Sequence, residues 1–260
     1  MHTAILFADA HAGPAQSLKR FEALGNCIVE VKPDFVACLG DLGTCDSVST
    51  YPVKYEDTTT LREDADTIIA AQEALFKPLN DYNSKRRRSR HKRHYPLKIL
   101  TKGNHEERLD RQVMADETGL GSVVEPNELF QFHHYWDIVR EYKEYYSFLG
   151  LLFTHAPTNA MGQPISGVTR GRQTCFQTDK PVFYGHTHSF DHTTMGIMGN
   201  GNKVRSSVNL PCFMDQDHVE EYAQGSTTGW CYGFLILKIF APGQFSYEWV
   251  SMPELYDKFL

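Results

Sequence analysis

The chain has 260 residues, 41% of them hydrophobic, and a formal net charge of −6, enough length and apolar content for one large α/β domain with a buried core. No run approaches the ~20 apolar residues that span a bilayer, and the opening MHTAILFADAH is interrupted by Asp9 and His11 before a signal-peptide core could form. A cytoplasmic chain of a single domain over 1–260, with no membrane partner, is expected. The six cysteines, Cys27, Cys38, Cys45, Cys175, Cys212 and Cys231, contain no C-x-x-C pair, so neither a zinc knuckle nor a disulfide framework is indicated.

The elements follow in order. Thr3–Ala8 is a short apolar run closed by Asp9, and Ser17–Gly25 reads as a helix with Ser17 as its N-cap and Gly25 past its end. Phe35–Leu39 is a second buried strand, closed by Gly40-Asp41. Leu42–Thr60 is polar and aperiodic, a long loop of the kind that is usually functional or mobile. Leu61–Asn80 has a helical apolar face in Ile68, Ile69, Leu75, Phe76 and Leu79, with Pro78 marking a frayed end. Next comes Lys85–His94, KRRRSRHKRH, which holds 7 of the 26 Lys and Arg and leaves 19 basic against 32 acidic residues elsewhere, a balance of −13. Such a run either attracts a phosphate polymer or is a solvated loop.

Leu97–Leu100 is a strand ending in Gly103-Asn104-His105-Glu106, with a helix over Glu106–Glu117 behind it. The pattern then weakens until a hairpin at Tyr145–Phe153, which ends near His155. A loop rich in Gly and Arg, Met161–Arg172, leads to the strand Pro181–Tyr184 and to Gly185-His186-Thr187-His188. Strands are expected at Lys203–Asn209, Tyr232–Ile239 and Phe245–Val250, and no internal repeat is present.

Five apolar strands thus end in residues of one chemical kind. If they share a sheet edge, two carboxylates (Asp9, Asp41), one amide (Asn104) and five imidazoles (His11, His105, His155, His186, His188) converge. That mixture suits a pair of borderline first-row metals rather than calcium or a lone magnesium, which prefer all-oxygen shells. Two cations ~3.5–4 Å apart need a bridging carboxylate, and Asp41, alone at its strand end, is the natural bridge. The one-residue gap between Asp9 and His11, and between His186 and His188, places each pair on one side of an extended segment. The small Gly40, Gly103 and Gly185 before the ligands allow tight turns and close approach.

In this order the blocks DAH at 9–11, GD at 40–41, GNHE at 103–106, a lone His155 and GHTH at 185–188 resemble the calcineurin-like metallophosphoesterases. The resemblance covers some 180 residues and implies a four-layer α-β-β-α sandwich of two mixed sheets flanked by helices, with the site at the C-terminal ends of the strands. It implies that Asp9, His11 and His188 bind one metal, that Asn104, His155 and His186 bind a second, and that Asp41 bridges them. His105 would stay off the metals as the general acid, or as a cation that steadies the phosphate. The cofactors implied are two divalent transition-metal ions, manganese foremost, with iron, zinc, cobalt or nickel as alternatives.

The protein phosphatase branch carries arginines where this chain reads GDLGTCD and KGNHEE, and the length leaves no room for the capping domain of the double-strand-break repair nucleases. The compact bacterial and phage members are the nearest in pattern. A phosphodiesterase acting on nucleic acid or nucleotides, DNA exonuclease-like, is therefore the leading expectation. A phosphomonoesterase or nucleotide pyrophosphohydrolase of the same fold is the alternative, and a non-catalytic metal-binding scaffold would need a broken ligand set. Arg108, Arg170 and Arg172 are candidate phosphate clamps, with surface solvation as the competing reading. Trp136 with His133, His134 and Tyr135 is either a base-stacking patch or core, and Phe190 and Trp230 are ambiguous in the same way.

Overall fold

Strand β1 (His2–Phe7) alternates Ala4 and Leu6 on one face with Ile5 and Phe7 on the other, all fully buried, which requires a packed layer on both sides of its sheet. In the computed structural model, which describes residues 1–14, 16–50, 59–117, 119–197, 204–216 and 228–260, both layers are present. β1 lies inside a six-stranded sheet ordered β11-β10-β1-β2-β3-β4. Here β2 is Phe35–Cys38, β3 Leu97–Thr101, β4 Ile138–Arg140, β10 Gly233–Ala241 and β11 Gln244–Ser251. The strands β1 to β4 are parallel, and β10 and β11 are antiparallel additions at one edge.

The second sheet is ordered β5-β6-β7-β9-β8, with β5 at Tyr146–Phe148, β6 at Leu151–Phe153, β7 at Val182–Tyr184, β8 at Asp191–Gly196 and β9 at Val204–Asn209. Its β6, β7 and β9 are parallel, while β5 and β8 are antiparallel edges. Ala4, Leu6, Phe35, Ala37, Ile99, Phe153, Phe183 and Val208 fill the space between the sheets. Ile5, Phe7, Val36, Cys38 and Leu100 face the other way, onto helices α1 (Lys19–Val31), α2 (Leu61–Arg88) and α7 (Met252–Phe259). Helix α6 (Arg170–Gln177) covers the far face of the second sheet, where Ser207 Oγ donates to Gly171 O at 2.9 Å. Two mixed sheets flanked by helices make the four-layer α/β sandwich.

Several element boundaries differ from the sequence reading. Helix α1 runs through Gly25 to a left-handed Lys32 cap. Gly25 is an internal contact point: a Cβ there would lie 2.4 Å from Leu75 O and 2.8 Å from Pro78 Cγ. Pro78 does not end α2 either. It costs the helix a hydrogen bond and ~3 kcal/mol of propensity, yet the buried Leu79 and Asn83 beyond it keep the next turns packed. The basic run is consequently half helical, with Lys85–Arg88 as the last turn of α2. The loop expected at 161–172 becomes α6 from Arg170 onward.

Of the loop expected at 42–60, a 3-10 turn occupies Asp46–Val48, and 51–58 lie outside the described residues. Helices α3 (Glu106–Ala115), α4 (Pro126–Leu129) and α5 (Phe132–Tyr135), with a 3-10 turn at Leu120–Ser122, join β3 to β4. The cysteines are free thiols, and no helix among the described residues is long and apolar enough to cross a membrane.

Candidate metal centre

The residues that follow β1, β2, β3, β6 and β7 meet at one end of the sandwich. Strand pairing persists past the strand ends: Asp9 N donates to Gly40 O and His11 N to Asp41 O, both at 2.9 Å, and Gly185 N donates to His155 O at 3.0 Å. Here the sequence reading needs correction. Asp9 and His11, and His186 and His188, are not on extended segments. Their φ angles are +52°, +44°, +75° and +57°, and that of Asp41 is +49°, so each side chain is aimed by a left-handed turn. Non-glycine residues adopt this region rarely, and clusters of them mark functional sites.

The glycines serve different needs. Gly40 has φ +87°, and a Cβ there would lie 2.5 Å from the His155 ring. Gly103 is needed for space alone, since a Cβ would overlap Asp41 Oδ1 at 2.0 Å.

Two sets of donor atoms result. In one, His11 Nε2 lies 3.1 Å from His188 Nε2, and His188 Nε2 lies 3.5 Å from Asp9 Oδ1. In the other, Asn104 Oδ1 lies 3.0 Å from His155 Nε2 and 2.8 Å from His186 Nδ1. Asp41 Oδ2 stands between them, 3.9 Å from His11 Nε2 and 3.3 Å from His155 Nε2. Three overlapping groups, Asp9-His11-His188, His11-Asp41-His105 and Asp41-His155-His186, each offer donor atoms within 4.8 Å of one another. Asp9, His11, Asp41, His155 and His188 are buried, while Asn104 and His186 are half-buried at the mouth.

Carboxyls and imidazoles shift one another strongly across the cluster. Burial alone would push the Asp41 carboxyl up, but the imidazoles of His155, His105 and His11 outweigh it and hold the group well below its usual range. Asp9 is lowered in the same way by His188 against its own burial. His155, though buried, is raised to about 9 by Asp41, whereas burial and the neighbouring His155 push His186 down to about 4. His155 Nδ1 donates to Leu39 O at 2.8 Å, which fixes the ring and turns Nε2 toward two oxygens that can only accept, Asn104 Oδ1 and Asp41 Oδ2. Such oriented second-sphere bonds are typical of metal-ligating histidines. The protonated Nε2–H of His155 donates toward both oxygens; a cation bound among these atoms would replace that proton, and the mixed N and O donors fit two first-row ions.

His105 differs from the other four imidazoles. Its Nδ1 donates to Thr44 O at 2.6 Å, and its Nε2 lies 3.0 Å from Arg108 Nη2, which can only donate. Nε2 therefore takes that bond with its lone pair, and the guanidinium beside it opposes a metal cation there. Arg108 also donates to Thr44 O at 3.0 Å and lies 3.5 Å from Asp46, so it stands next to the cluster. Arg170 instead donates to Ser189 Oγ at 2.5 Å and bonds Gly167 O, bracing the segment after His188. Arg172 is exposed on α6. Lys102, where the protein phosphatase branch has arginine, is 1% exposed and pairs with Asp110 at 2.5 Å and Glu141 at 2.8 Å.

Trp136 belongs to the core: it is buried, its Nε1 donates to Gln72 Oε1 at 2.8 Å, and its ring packs edge-on against Phe76. A base cannot stack on it. Trp230 lies edge-on to His188 with centroids 4.6 Å apart, and Phe190 stacks on Trp249.

One functional residue escaped the sequence reading. Glu106 is fully buried, and its carboxylate accepts the N–H of Asp41 at 3.1 Å, Gly103 at 2.7 Å and Gly43 at 3.1 Å. It clamps the loop after β2 to the loop after β3, and the acidic fourth position of the GNHE block was the available signal. Glu106→Gln turns an amide NH₂ toward at least one of these N–H groups. Metal affinity is expected to fall 10–100-fold and stability by roughly 1–3 kcal/mol, read by metal titration and by denaturant melts of the chelated protein. Unchanged values in both would show that the clamp does not position the ligands.

No family model and no curated protein matches the chain. Among solved structures it is similar to Vps29 of Entamoeba histolytica complexed with zinc, 13% identical over 95% of this chain and 98% of that one, with a TM-score of 0.34. It is also similar to Vps29 of Chaetomium thermophilum, 11% identical over 96% and 97%, with a TM-score of 0.39. The chemistry of the cluster is therefore read from this chain's own residues.

Proposed function

We propose that this chain is a calcineurin-like metallophosphoesterase that uses two divalent transition-metal ions, manganese foremost, to hydrolyse phosphodiester bonds of nucleic acid or nucleotides. The observation that carries this reading is Asp41 Oδ2, set 3.9 Å from His11 Nε2 and 3.3 Å from His155 Nε2, between two donor sets of matching composition. Asp9, His11 and His188 with Asp41 would hold one ion, and Asn104, His155 and His186 with Asp41 the other. Two such ions supply Lewis acidity toward a phosphate and activation of water.

The chain's own residues do the rest. Leu39 O and Glu106 hold the donors in place. The Arg108 fork presents two donors to phosphate oxygens, and on turning to them it releases His105 Nε2. His105, anchored by donating Nδ1–H to Thr44 O, then has its Nε2 lone pair free to take up a proton from water, and the imidazolium so formed passes that proton from Nε2 to the leaving oxygen.

The test is a panel of bis-p-nitrophenyl phosphate, p-nitrophenyl phosphate, single- and double-stranded DNA, RNA, cyclic nucleotides and a dinucleoside polyphosphate, assayed with manganese. Diester turnover that a chelator abolishes and manganese restores is expected. No diester turnover across the panel overturns the reading, and preference for p-nitrophenyl phosphate or the dinucleoside polyphosphate replaces it with the monoesterase or pyrophosphohydrolase alternative.

A further inference from the structure

The basic run has a definite shape and place. Helix α2 starts beside the metal centre, where Asp64 accepts the Ser47 N–H at 2.9 Å and Ile68 lies under Gly43. It then runs to Arg88, and the rise from Ile68 to Arg88 is about 30 Å. The run therefore sits at the end of the sandwich where β2 and β3 begin, whereas every candidate ligand lies beyond the C-terminal ends of the strands. Its nearness in sequence to the GNHE block is not nearness in space.

Its backbone is held on both limbs. Asn83, 7% exposed, donates to His94 O at 2.7 Å and accepts the His94 N–H at 2.8 Å. Arg86 Nε donates to Lys92 O at 2.9 Å, His91 N to Arg86 O at 2.9 Å, and Arg90 turns the chain with φ +56°. The result is a folded knob rather than a loose loop.

Among the described residues no carboxylate forms an ion pair with its cations. Lys85, Arg87, Arg88, Arg90, Lys92 and Arg93 are exposed and Arg86 is half-buried. Asp81, one turn before Lys85, pairs with Lys77 at 2.5 Å instead. Cations on the last turn of α2 complement the helix dipole, but that effect fades within one turn and does not explain Arg90, Lys92 and Arg93 beyond it. Aromatic rings lie among the charges: Lys32 and Arg86 are both 5.7 Å from the Tyr82 ring, and Arg93 is 5.3 Å from Tyr95, which is 67% exposed.

We propose that this knob is a docking surface for the phosphate backbone of nucleic acid, separate from the metal centre. Five of its seven cations are arginines, whose planar forks match phosphate oxygens bidentately, and the chain elsewhere carries a balance of −13, so the knob concentrates positive charge on an otherwise acidic chain and draws a polyanion to this end. A membrane is a poorer fit, because among the described residues Tyr95 is the sole exposed large hydrophobic of 85–95, and it lies under Arg93 with no apolar face beside it. The docking rests on the proposed function only for what the bound polymer meets at the other end of the molecule.

The experiment uses the full chain, chelated to prevent cleavage, and a fluorescein-labelled duplex DNA of 20 base pairs as probe, with affinity measured across a salt series. Combining Arg87→Gln, Arg88→Gln, Arg90→Gln and Lys92→Gln is expected to reduce the slope of log affinity against log salt by about 3 to 4, near 0.9 per lost phosphate contact. Hydrolysis of bis-p-nitrophenyl phosphate by the metal-loaded variant is expected to stay at the parent level, which also reports that it folds. The charge-conserving combination Arg87→Lys, Arg88→Lys and Arg90→Lys is expected to keep the parent slope. An unchanged slope in the glutamine variant overturns the proposal, as does binding to phosphatidylserine vesicles tighter than to the duplex at the same salt. A reduced slope in the glutamine variant, with a parent that hydrolyses no diester, supports the docking while removing the proposed function; diester hydrolysis by the parent with an unchanged slope in the variant does the reverse.

Discussion

Asp41→Asn is expected to strip both metal ions and abolish phosphodiesterase activity together. The residue's geometry dictates how. Asp41 Oδ1 accepts the backbone N–H of His105 at 2.9 Å, so an asparagine must keep its carbonyl oxygen there and turn its NH₂ toward His155 Nε2 and His11 Nε2. A carboxylate oxygen facing both donor sets is thereby replaced by a donor that repels cations from both. The backbone is not the cause, since asparagine tolerates the left-handed φ of +49° at this position at least as well as aspartate. The measurement is metal content by elemental analysis beside the bis-p-nitrophenyl phosphate rate, with circular dichroism to show that the chain is folded. A variant that kept two ions and turned over would place the bridge on another residue.

His105→Ala is the second large effect, and its signature is the opposite. Turnover should fall by ~10²–10⁴, the range for loss of a general acid, while both ions remain bound. The ring holds no position in either donor set that another imidazole lacks, and its nitrogens are already engaged by Thr44 O and Arg108. If the lost group is an acid, the defect should shrink with a p-nitrophenolate leaving group and grow with an alkoxide, because a weakly basic leaving oxygen needs little protonation. A defect independent of the leaving group would assign His105 to steadying the phosphate. Loss of both ions would make it a ligand.

Strand ends were legible because a buried apolar run that stops at Asp9, Asp41, Asn104, His155 or His186 has few reasons to do so, and the structure brings all five ends together. Residue types and their order therefore revealed the cluster, but not the way it is aimed: alternation suggested extended pairs, whereas the chain uses positive φ at Asp9, His11, His186 and His188. Helix lengths were misread where one residue's intrinsic preference was set against packing. Gly25 and Pro78, read as terminators, touch each other between α1 and α2. Strand β8 was missed because it is an edge with one half-buried face and so has no strong apolar alternation. The tryptophan beside two histidines looked like a surface stack, but Gln72, 64 positions earlier, satisfies its indole N–H inside the core. No local window shows that partner.

The clamp at Glu106 bears on what holds the cup in shape. Three backbone N–H groups from two loops converge on one carboxylate, and the Asp9 carboxylate ties down the His186 N–H at 2.9 Å, so the cup is shaped by the polypeptide itself. Zinc fingers, by contrast, collapse when chelated. A cup braced in this way is expected to keep its shape when chelated, so under the proposed function the chain would be emptied and reloaded without unfolding, and the ions it took up would reflect donor chemistry and supply rather than the history of its folding.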